Sequence, residues 1–351
     1  MAILLLNAGS TSLKYQLFST EGVIIKKGGS GRVKDFEQAF AEIIEELRFS
    51  DEITVIGHRV VHGGDRYHRP TIINEVVTSY LESIVNLAPL HVPFNLLGMR
   101  LAAKHWPNLP QIALFDTAFF ADLPAMAKTY ALPEQLAVSK QWHRYGFHGL
   151  SHEYLMQAAA EELNKKLDQV NLIICHLGGG SSVSAIQAGR AVDVSLGWSP
   201  TAGLPMMTRC GDLDPGLLLA MIEDLPGPIN EQKINQVREV LNKQSGLYGL
   251  CGYDDFLDIL AARERGEVKA IAAFDYFVYR LVHYIGAYWA VLGGQVDAIV
   301  LSGAIGAGSL DLRQAIADKL FGWCSASLLA ISTNEELAMF REIKKLGFYE
   351  L

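Results

Sequence analysis

One pattern constrains this chain more than any other: a short apolar run that ends directly in a Gly/Ser-rich turn, three times over. It occurs at residues 3–12, where the run leads into Asn7-Ala8-Gly9-Ser10-Thr11-Ser12. It recurs at 170–182, leading into His176-Leu177-Gly178-Gly179-Gly180-Ser181-Ser182, and at 297–309, leading into Ser302-Gly303-Ala304-Ile305-Gly306-Ala307-Gly308-Ser309. Apolar runs of this length bounded by turn residues read as strands buried on both faces, which belong to α/β architectures. The turns expose backbone N–H groups and suit phosphates. The first two pass from strand to strand, unlike a Walker loop, and neither GxxxxGK[ST] nor a Rossmann-placed GxGxxG occurs. One such turn alone is a tight connection; three in one α/β chain point to phosphate contact.

The intervening sequence fills in the same class. Residues 13–18, 54–59 and 111–115 read as further strands, 35–47 as a helix, and 183–186 with 191–194 as a hairpin. Helical stretches follow at 215–223, 233–243 and 268–292. At 351 residues the chain exceeds what one core usually supports, so two domains are expected. A net charge of −8 argues against a general nucleic-acid binder but leaves room for small anions held by a few arginines. Cys175, Cys210, Cys251 and Cys324 are far apart, with no zinc or disulfide spacing. The first residues lack the positive region of a signal peptide, and no run approaches the roughly 18 apolar residues of a membrane span. A soluble cytoplasmic protein, with neither membrane nor nucleic-acid partner, is the expectation.

Several side chains could do chemistry. Gly57-His58-Arg59-Val60-Val61-His62-Gly63-Gly64 puts an arginine at a strand end between glycines. Thr208-Arg209-Cys210-Gly211-Asp212-Leu213-Asp214-Pro215 puts a second just before a helix start, with Asp214 as N-cap and Pro215 in the first helical position. Arginine suits bidentate binding of carboxylate and phosphate. Asp116 ends an apolar strand, where ligands of α/β sheets sit. His148 lies between Phe147 and Gly149, and His91 against an apolar background. Ser12 and Lys14, two residues apart on a strand, share a side. Each has a plainer reading: ion-pair arginines, hydrogen-bonded core histidines, a turn-capping Asp116, and Asp212 with Asp214 serving turn and cap. The cysteines at 175, 210 and 251 read as small buried hydrophobes. Spacing alone reaches an α/β phosphate-handling protein with two arginines, and stops there.

The ordered strings go further. Asn7–Lys14 resembles the N-x-G-S-[ST]-S-x-K that opens the acetate kinases, and Gly57–Gly64 their G-H-R-V-V-H-G-G. Phe115-Asp116-Thr117-Ala118-Phe119 is similar to F-D-T-A-F, and Tyr145–His152 to Y-G-F-H-G-x-S-H. Leu204–Pro215 is similar to the stretch ending T-R-x-G-D-x-D-P, and Thr333–Leu337 to T-[DN]-E-E-L. The resemblance runs from Ile3 to about Arg341. It implies a two-domain duplicated actin/sugar-kinase-like (ribonuclease H-like) α/β fold with an interdomain cleft. An acyl-kinase domain would span 1–117 with 337–351 returning to it, and a nucleotide-binding domain 118–336. It also implies a homodimer that moves a phosphoryl group between Mg2+–ATP and acetate or propionate, giving acetyl phosphate and ADP. By matching position, Asn7 and Glu335 would form the metal site and Asp116 would orient substrate and metal. Arg59 and Arg209 would bind the carboxylate and the moving phosphoryl group. His148 would donate to a phosphoryl oxygen, with His91 nearby, and Val61, Leu90, Phe147 and Pro200 would form the acyl pocket. The nucleotide would lie against Ser10, Ser12, Lys14, His176, Leu177, Gly178, Gly179, Gly180, Asp255, Phe256, Leu257, Ala304, Ile305, Gly306, Ala307 and Gly308.

Departures from the family pattern cluster on the nucleotide side. Gly179 stands for an asparagine, Leu257 for an arginine, and Ala307 with Gly308 for Glu and Asn. Met207 replaces a glycine and Ala202 a glutamate. The chain is also shorter than typical members between Lys14 and Arg59 and between Ser309 and Glu335. Two other readings keep the motifs: the same transfer from another donor such as pyrophosphate, or a non-catalytic regulatory relative.

Overall fold

A computed structural model of the chain describes residues 1–9, 12–31, 33–47, 53–320 and 322–347. The chain divides into two compact units. The first comprises Met1–Ala121, Phe147–Tyr154 and Asn334–Leu351; the second comprises Asp122–Gly146 and Leu155–Thr333.

The apolar run at residues 3–6 lies inside β1 (Ala2–Ala8), buried on both faces. β1 pairs antiparallel with β2 (Leu13–Ser19), and β2 with β3 (Ile24–Ser30). On its other edge β1 runs parallel to β4 (Ile53–Val60), which runs parallel to β6 (Gln111–Phe115). The two-residue β5 (Thr71–Ile72) closes that edge antiparallel to β6, so the order is β3-β2-β1-β4-β6-β5. The second unit repeats the plan. β7 (Leu172–Leu177) pairs antiparallel with β8 (Ser181–Gln187), and β8 with β9 (Arg190–Val194). β7 also runs parallel to β10 (Ala298–Ser302), and β10 to β11 (Ser327–Ala330), in the order β11-β10-β7-β8-β9. Apart from β5, strand order and direction are the same in both units, which is the duplicated α/β fold that the motifs implied. The equivalence matches β1 with β7 and β4 with β10, so the turn after β10 occupies the place that the turn beginning at Val61 occupies after β4.

Helices cover the first sheet on both faces. Phe36–Leu47 and Val92–His105 pack on one side through Phe36, Phe40, Ile43 and Ala102. The helix Glu335–Lys345 packs on the other through Ala338, Met339, Phe340 and Ile343, with Phe340 stacked on Phe18 at 5.0 Å. A Cβ at Gly57 would lie 2.6 Å from both Ile343 Cδ1 and Leu5 Cδ2, so the glycine of the Gly-His-Arg string lets this helix approach β4. Burial of Phe340 contributes about 1.5–3 kcal/mol toward holding the helix, and with it Glu335, on the sheet. In the second unit the core forms around the helix Val268–Val291 through Phe274, Phe277, Leu281 and Ile285.

The structure differs from the sequence reading in a few places. The strand expected at 170–175 is displaced to Leu172–Leu177, because Asn171 gives its backbone N–H to the Asp297 side chain, at Oδ2, instead of to a neighbouring strand. The periodicity gives no sign of β3; its Lys-Lys-Gly-Gly-Ser is largely exposed and lacks the alternation that marks a half-buried strand. Among the described residues no helix is long and apolar enough to cross a membrane.

Candidate active site

In the first unit the residue after β6 and the first turn of the helix Glu335–Lys345 meet at Arg59. The side chain leaves the end of β4, and its Nε donates to Asp116 Oδ1 at 3.0 Å while Nη2 donates to Oδ2 at 2.8 Å. Nη1 donates to Glu335 Oε2 at 2.8 Å. Asp116 is 1% exposed, and Arg59 and Glu335 are 15% exposed each. Burial works against the guanidinium charge, but the carboxylates of Asp116 and Glu335 outweigh it and hold the arginine above its ordinary range. Arg59 is therefore a fixed cation, each of its three nitrogens donating to a carboxylate.

Asp116 is fixed through its backbone as well. Its N–H donates to the Val60 carbonyl at 2.9 Å, and its own carbonyl accepts from Gly149 N–H at 2.8 Å. A Cβ on Gly149 would come within 2.2 Å of that carbonyl oxygen, so only glycine permits the contact. The preceding residue, His148, has φ +60°, a left-handed conformation rare for a side-chain-bearing residue. It opens the helix Gly149–Glu162, its carbonyl accepting from His152 N–H at 3.0 Å. Strain of this kind persists where the surroundings over-determine it, and it clusters at functional sites. Phe147 is buried against the edge of His62, with ring centroids 5.3 Å apart. His62 Nδ1 accepts from Gly64 N–H at 2.9 Å.

Two residues that spacing did not single out complete this arrangement. Asn95, buried in the helix Val92–His105, accepts from Val61 N–H at 3.1 Å and donates to the Ala8 carbonyl at 2.7 Å. It ties the ends of β1 and β4 together. Its only sequence signal is a polar residue inside an apolar helical run. Glu336 accepts from Asn7 Nδ2 at 3.4 Å, next to the Glu335 that meets Arg59. Both glutamates lie in the first turn of a helix capped by Asn334, whose Oδ1 accepts from Leu337 N–H at 2.9 Å. Carboxylates there are stabilised by the helix dipole. The side chains of Asn7, Asp116, Glu335 and Glu336 offer oxygen donors, the chemistry of a hard cation such as Mg2+. Among the described residues no group of three His, Cys, Asp or Glu is placed to hold a metal alone. Mg2+ usually completes its shell with water and substrate phosphates, so the donor set fits it. His91 is the N-cap of the helix Val92–His105, with Pro93 in its first turn, and Leu90 and Val61 are not fully buried. His58 points away from this group, pairs with the Gln111 amide at 2.7 Å, and is pushed down to about 4 by burial. It is a neutral core histidine.

In the second unit the turn Gly178–Gly180 joins β7 to β8, and the turn beginning at Gly303 follows β10 at the same end of the sheet. Gly303 has φ +78°, and a Cβ there would sit 2.2 Å from the Leu177 carbonyl oxygen; one on Gly308 would sit 2.2 Å from that of Ala304. Around Gly179 a Cβ would meet nothing within 4 Å, and Met207 N–H donates to its carbonyl at 3.4 Å. Of the nucleotide-side residues, Leu177, Phe256 and Ile305 turn their side chains into the core. Asp255 caps the helix Phe256–Glu264, accepting from Leu257 N–H at 2.8 Å, and Leu257 is exposed. Ala307 is half-buried, while Gly306 is buried. In the first unit Ser12 accepts from Gly9 N–H through its carbonyl at 2.8 Å, Lys14 is exposed on β2 opposite Asn7, and Ser10 lies outside the described residues. Arg209 donates to the Pro200 carbonyl at 3.1 Å and is held below its ordinary range by burial. Asp214 is the N-cap as its spacing predicts, accepting from Gly216 N–H at 2.6 Å. Asp212 does more than serve its turn: its carboxylate also reaches Arg280 and Tyr284.

The Acetokinase family model matches residues 26–323. The acetate kinase of Halothermothrix orenii is 39% identical over 402 aligned positions that cover 99% of each chain. The chain belongs to the acetokinase family. Members are phosphotransferases with a carboxyl group as acceptor. Two solved structures agree with it over nearly their whole length at 30% identity each. The acetate kinase of Porphyromonas gingivalis has a TM-score of 0.86, covering 98% of this chain and 99% of its own. A propionate kinase from Francisella tularensis has a TM-score of 0.88, covering 97% and 98%. An alignment of 402 positions against 351 residues also means that this chain lacks segments its relative has.

Proposed function

We propose that the chain transfers a phosphoryl group reversibly between ATP and acetate or propionate, giving the acyl phosphate and ADP by direct in-line displacement. The observation that carries this reading is the Arg59 fork: a largely buried cation fixed by Asp116 and Glu335, with the Asp116 carbonyl bonded to Gly149, the residue after a histidine held in a strained backbone conformation. A carboxylate acceptor is already deprotonated at neutral pH, so the site needs no strong base. What it must offset is the repulsion of two anions, and preorganised arginine is suited to that. Arg59 would hold the acceptor carboxylate and Arg209 the moving phosphoryl group, while His148 donates to a phosphoryl oxygen. Asp116 keeps Arg59 in place and orients the acceptor. Val61, Leu90, Phe147 and Pro200 would contact the acyl group, with His91 nearby. Mg2+ would be held by Asn7 and Glu335, with Glu336 beside them, and when bound supplies positive charge to phosphate oxygens. The nucleotide phosphates would meet Ser10, Ser12 and Lys14, the Gly178–Gly180 turn and the turn after β10. On this reading the first unit, which takes in Phe147–Tyr154 and Asn334–Leu351 rather than the expected 1–117 with 337–351 alone, handles the acyl group and the second the nucleotide, in a cytoplasmic homodimer.

Hydroxylamine trapping of acyl phosphate tests the reading, with ATP or pyrophosphate as donor and acetate or propionate as acceptor in the presence of Mg2+. Product with ATP is expected. Product with pyrophosphate alone would replace the donor, and no product with either would leave a non-catalytic relative.

A further inference from the structure

The loop that presents Arg209 is held at its tip by backbone N–H groups of Ser245, Leu247 and Tyr248, which donate to the carbonyls of Thr208, Met206 and Met207. It is fastened again at its neck and at its side, and one carboxylate serves both of these. Residues 203 and 212 close the neck reciprocally: Gly203 N–H donates to Asp212 Oδ1 at 2.8 Å, and Asp212 N–H donates to the Gly203 carbonyl at 2.9 Å. Gly203 and Gly211 make this closure possible with φ +95° and +73°. A Cβ on Gly211 would lie 2.6 Å from the Leu204 carbonyl carbon. At the tip, Met206 N–H donates to the Arg209 carbonyl at 3.0 Å, so Arg209 sits on a tight reversal inside the closed loop. The other carboxylate oxygen, Asp212 Oδ2, accepts from Arg280 Nη2 at 2.8 Å and from the Tyr284 hydroxyl at 2.6 Å. Both partners lie one turn apart on the helix Val268–Val291. Burial, and then Asp212 itself, push the Tyr284 hydroxyl well above its ordinary range, so it stays a donor.

We propose that Asp212 is the positioning residue for Arg209, locking the arginine's loop to the long helix so that the guanidinium is presented in one fixed geometry. The proposal rests on the reading above, in which Arg209 works on the phosphoryl group; Asp212 itself touches no reacting atom. The ion pair contributes little to global stability, since the Asp212 side chain is 44% exposed. Its effect is local. Asn in place of Asp can keep the neck contact through Oδ1, but its amide would point a donor at two donors, and the fastening to the helix is lost.

Amide hydrogen exchange over residues 203–212 and acyl phosphate formation, measured on the whole protein, test this in the Asp212→Asn variant. Exchange in the loop is expected to quicken about tenfold or more, with the melting temperature shifted by only about 3 °C or less. The kcat is expected to fall about tenfold, and the same substitution in an Arg209→Lys background to cost less than about threefold, because residues acting as a unit are non-additive. A purely structural role would give equal costs in both backgrounds, and that result, or unchanged exchange, overturns the proposal. Should Asp212→Asn fail to fold, Tyr284→Phe removes one of the two helix-side donors and leaves the neck intact. Faster loop exchange with about threefold lower kcat is expected there, and unchanged exchange again overturns the proposal. If the unmutated protein forms no acyl phosphate, the functional reading falls on its own, while exchange still decides whether Asp212 fixes the loop.

Discussion

Arg59 meets Asp116 along one edge of its guanidinium, Nε at 3.0 Å from Oδ1 and Nη2 at 2.8 Å from Oδ2, and turns its remaining nitrogen, Nη1, to Glu335. This geometry needs a planar fork, which lysine cannot supply.

Arg59→Ala should therefore act twice. It leaves Asp116 buried without its cation, a change that costs about 3–5 kcal/mol of folding stability. It also removes a contact that strengthens in the transition state, so turnover should fall at least about 100-fold. Arg59→Lys should retain more stability than Arg59→Ala but recover less than about a tenth of the activity. Chemical denaturation and the hydroxamate assay check both, and near-normal turnover with lysine would refute the fork.

The left-handed backbone at His148 separates stability from activity. His148→Gly relieves a conformation that costs about 1–2 kcal/mol and loses some of that gain to glycine's freedom in the unfolded chain, so stability should stay within about 1 kcal/mol of the parent. Turnover should nonetheless fall about 100-fold, the size of effect seen when one transition-state donor is lost. Gly149→Ala should do the reverse in kind: its Cβ would be driven against the Asp116 carbonyl, destabilising by about 1–3 kcal/mol and displacing Asp116. A His148→Gly protein that keeps full turnover would remove His148 from the chemistry.

Glu153 faces Glu342 in a pocket of the first unit lined also by Leu114, Phe115 and Leu150. Burial, and then the Glu342 charge, push its carboxyl up to about 7 from an ordinary 4.5, with Lys345 opposing. The folded protein thus holds a proton that the unfolded chain releases. Its stabilising contribution is complete below about pH 4.5 and is lost as the pH rises toward 7. Glu153→Gln should melt close to the wild type at pH 5 and above it at pH 8. Parallel melting temperatures across that range would show that the proton is not held.

Glu335→Gln should weaken binding of a divalent cation in the presence of nucleotide, since it removes a charge from an oxygen-donor set. Mn2+ titrations followed by electron paramagnetic resonance read this without any turnover, with about tenfold weaker binding expected. Equal Mn2+ affinity in both proteins would take Glu335 out of the metal site.

The sequence made some of these residues visible and hid others for a physical reason. Arg59, Asp116 and His148 sit in short strings whose neighbours meet local backbone demands. Gly57 admits a helix, and Gly149 admits the Asp116 carbonyl. Such strings are legible because those demands leave few choices of residue. Asn95 was not legible, because it joins Ala8 to Val61 across 87 and 34 positions, and nothing local announces it. Asp212 read as a turn residue for the same cause; its partners Arg280 and Tyr284 are 68 and 72 positions away. Phe256 shows the converse. It stands in a recognisable string, yet its ring packs on Phe274 and Phe277 in the core. Most strands of both sheets were marked by apolar runs; exposed β3 was not, because no burial imposes a pattern there.

The repeated strand order has a consequence for how the two halves tolerate change. At the end of β4 stands Arg59, whose identity as a forked cation matters. Just past the end of β10 stands Gly303, where Leu177 leaves no room for any Cβ. Random variation would thus injure one half by altering which side chain is present and the other by introducing one at all. A saturation screen should recover that asymmetry as two unlike tolerance profiles at the ends of corresponding strands.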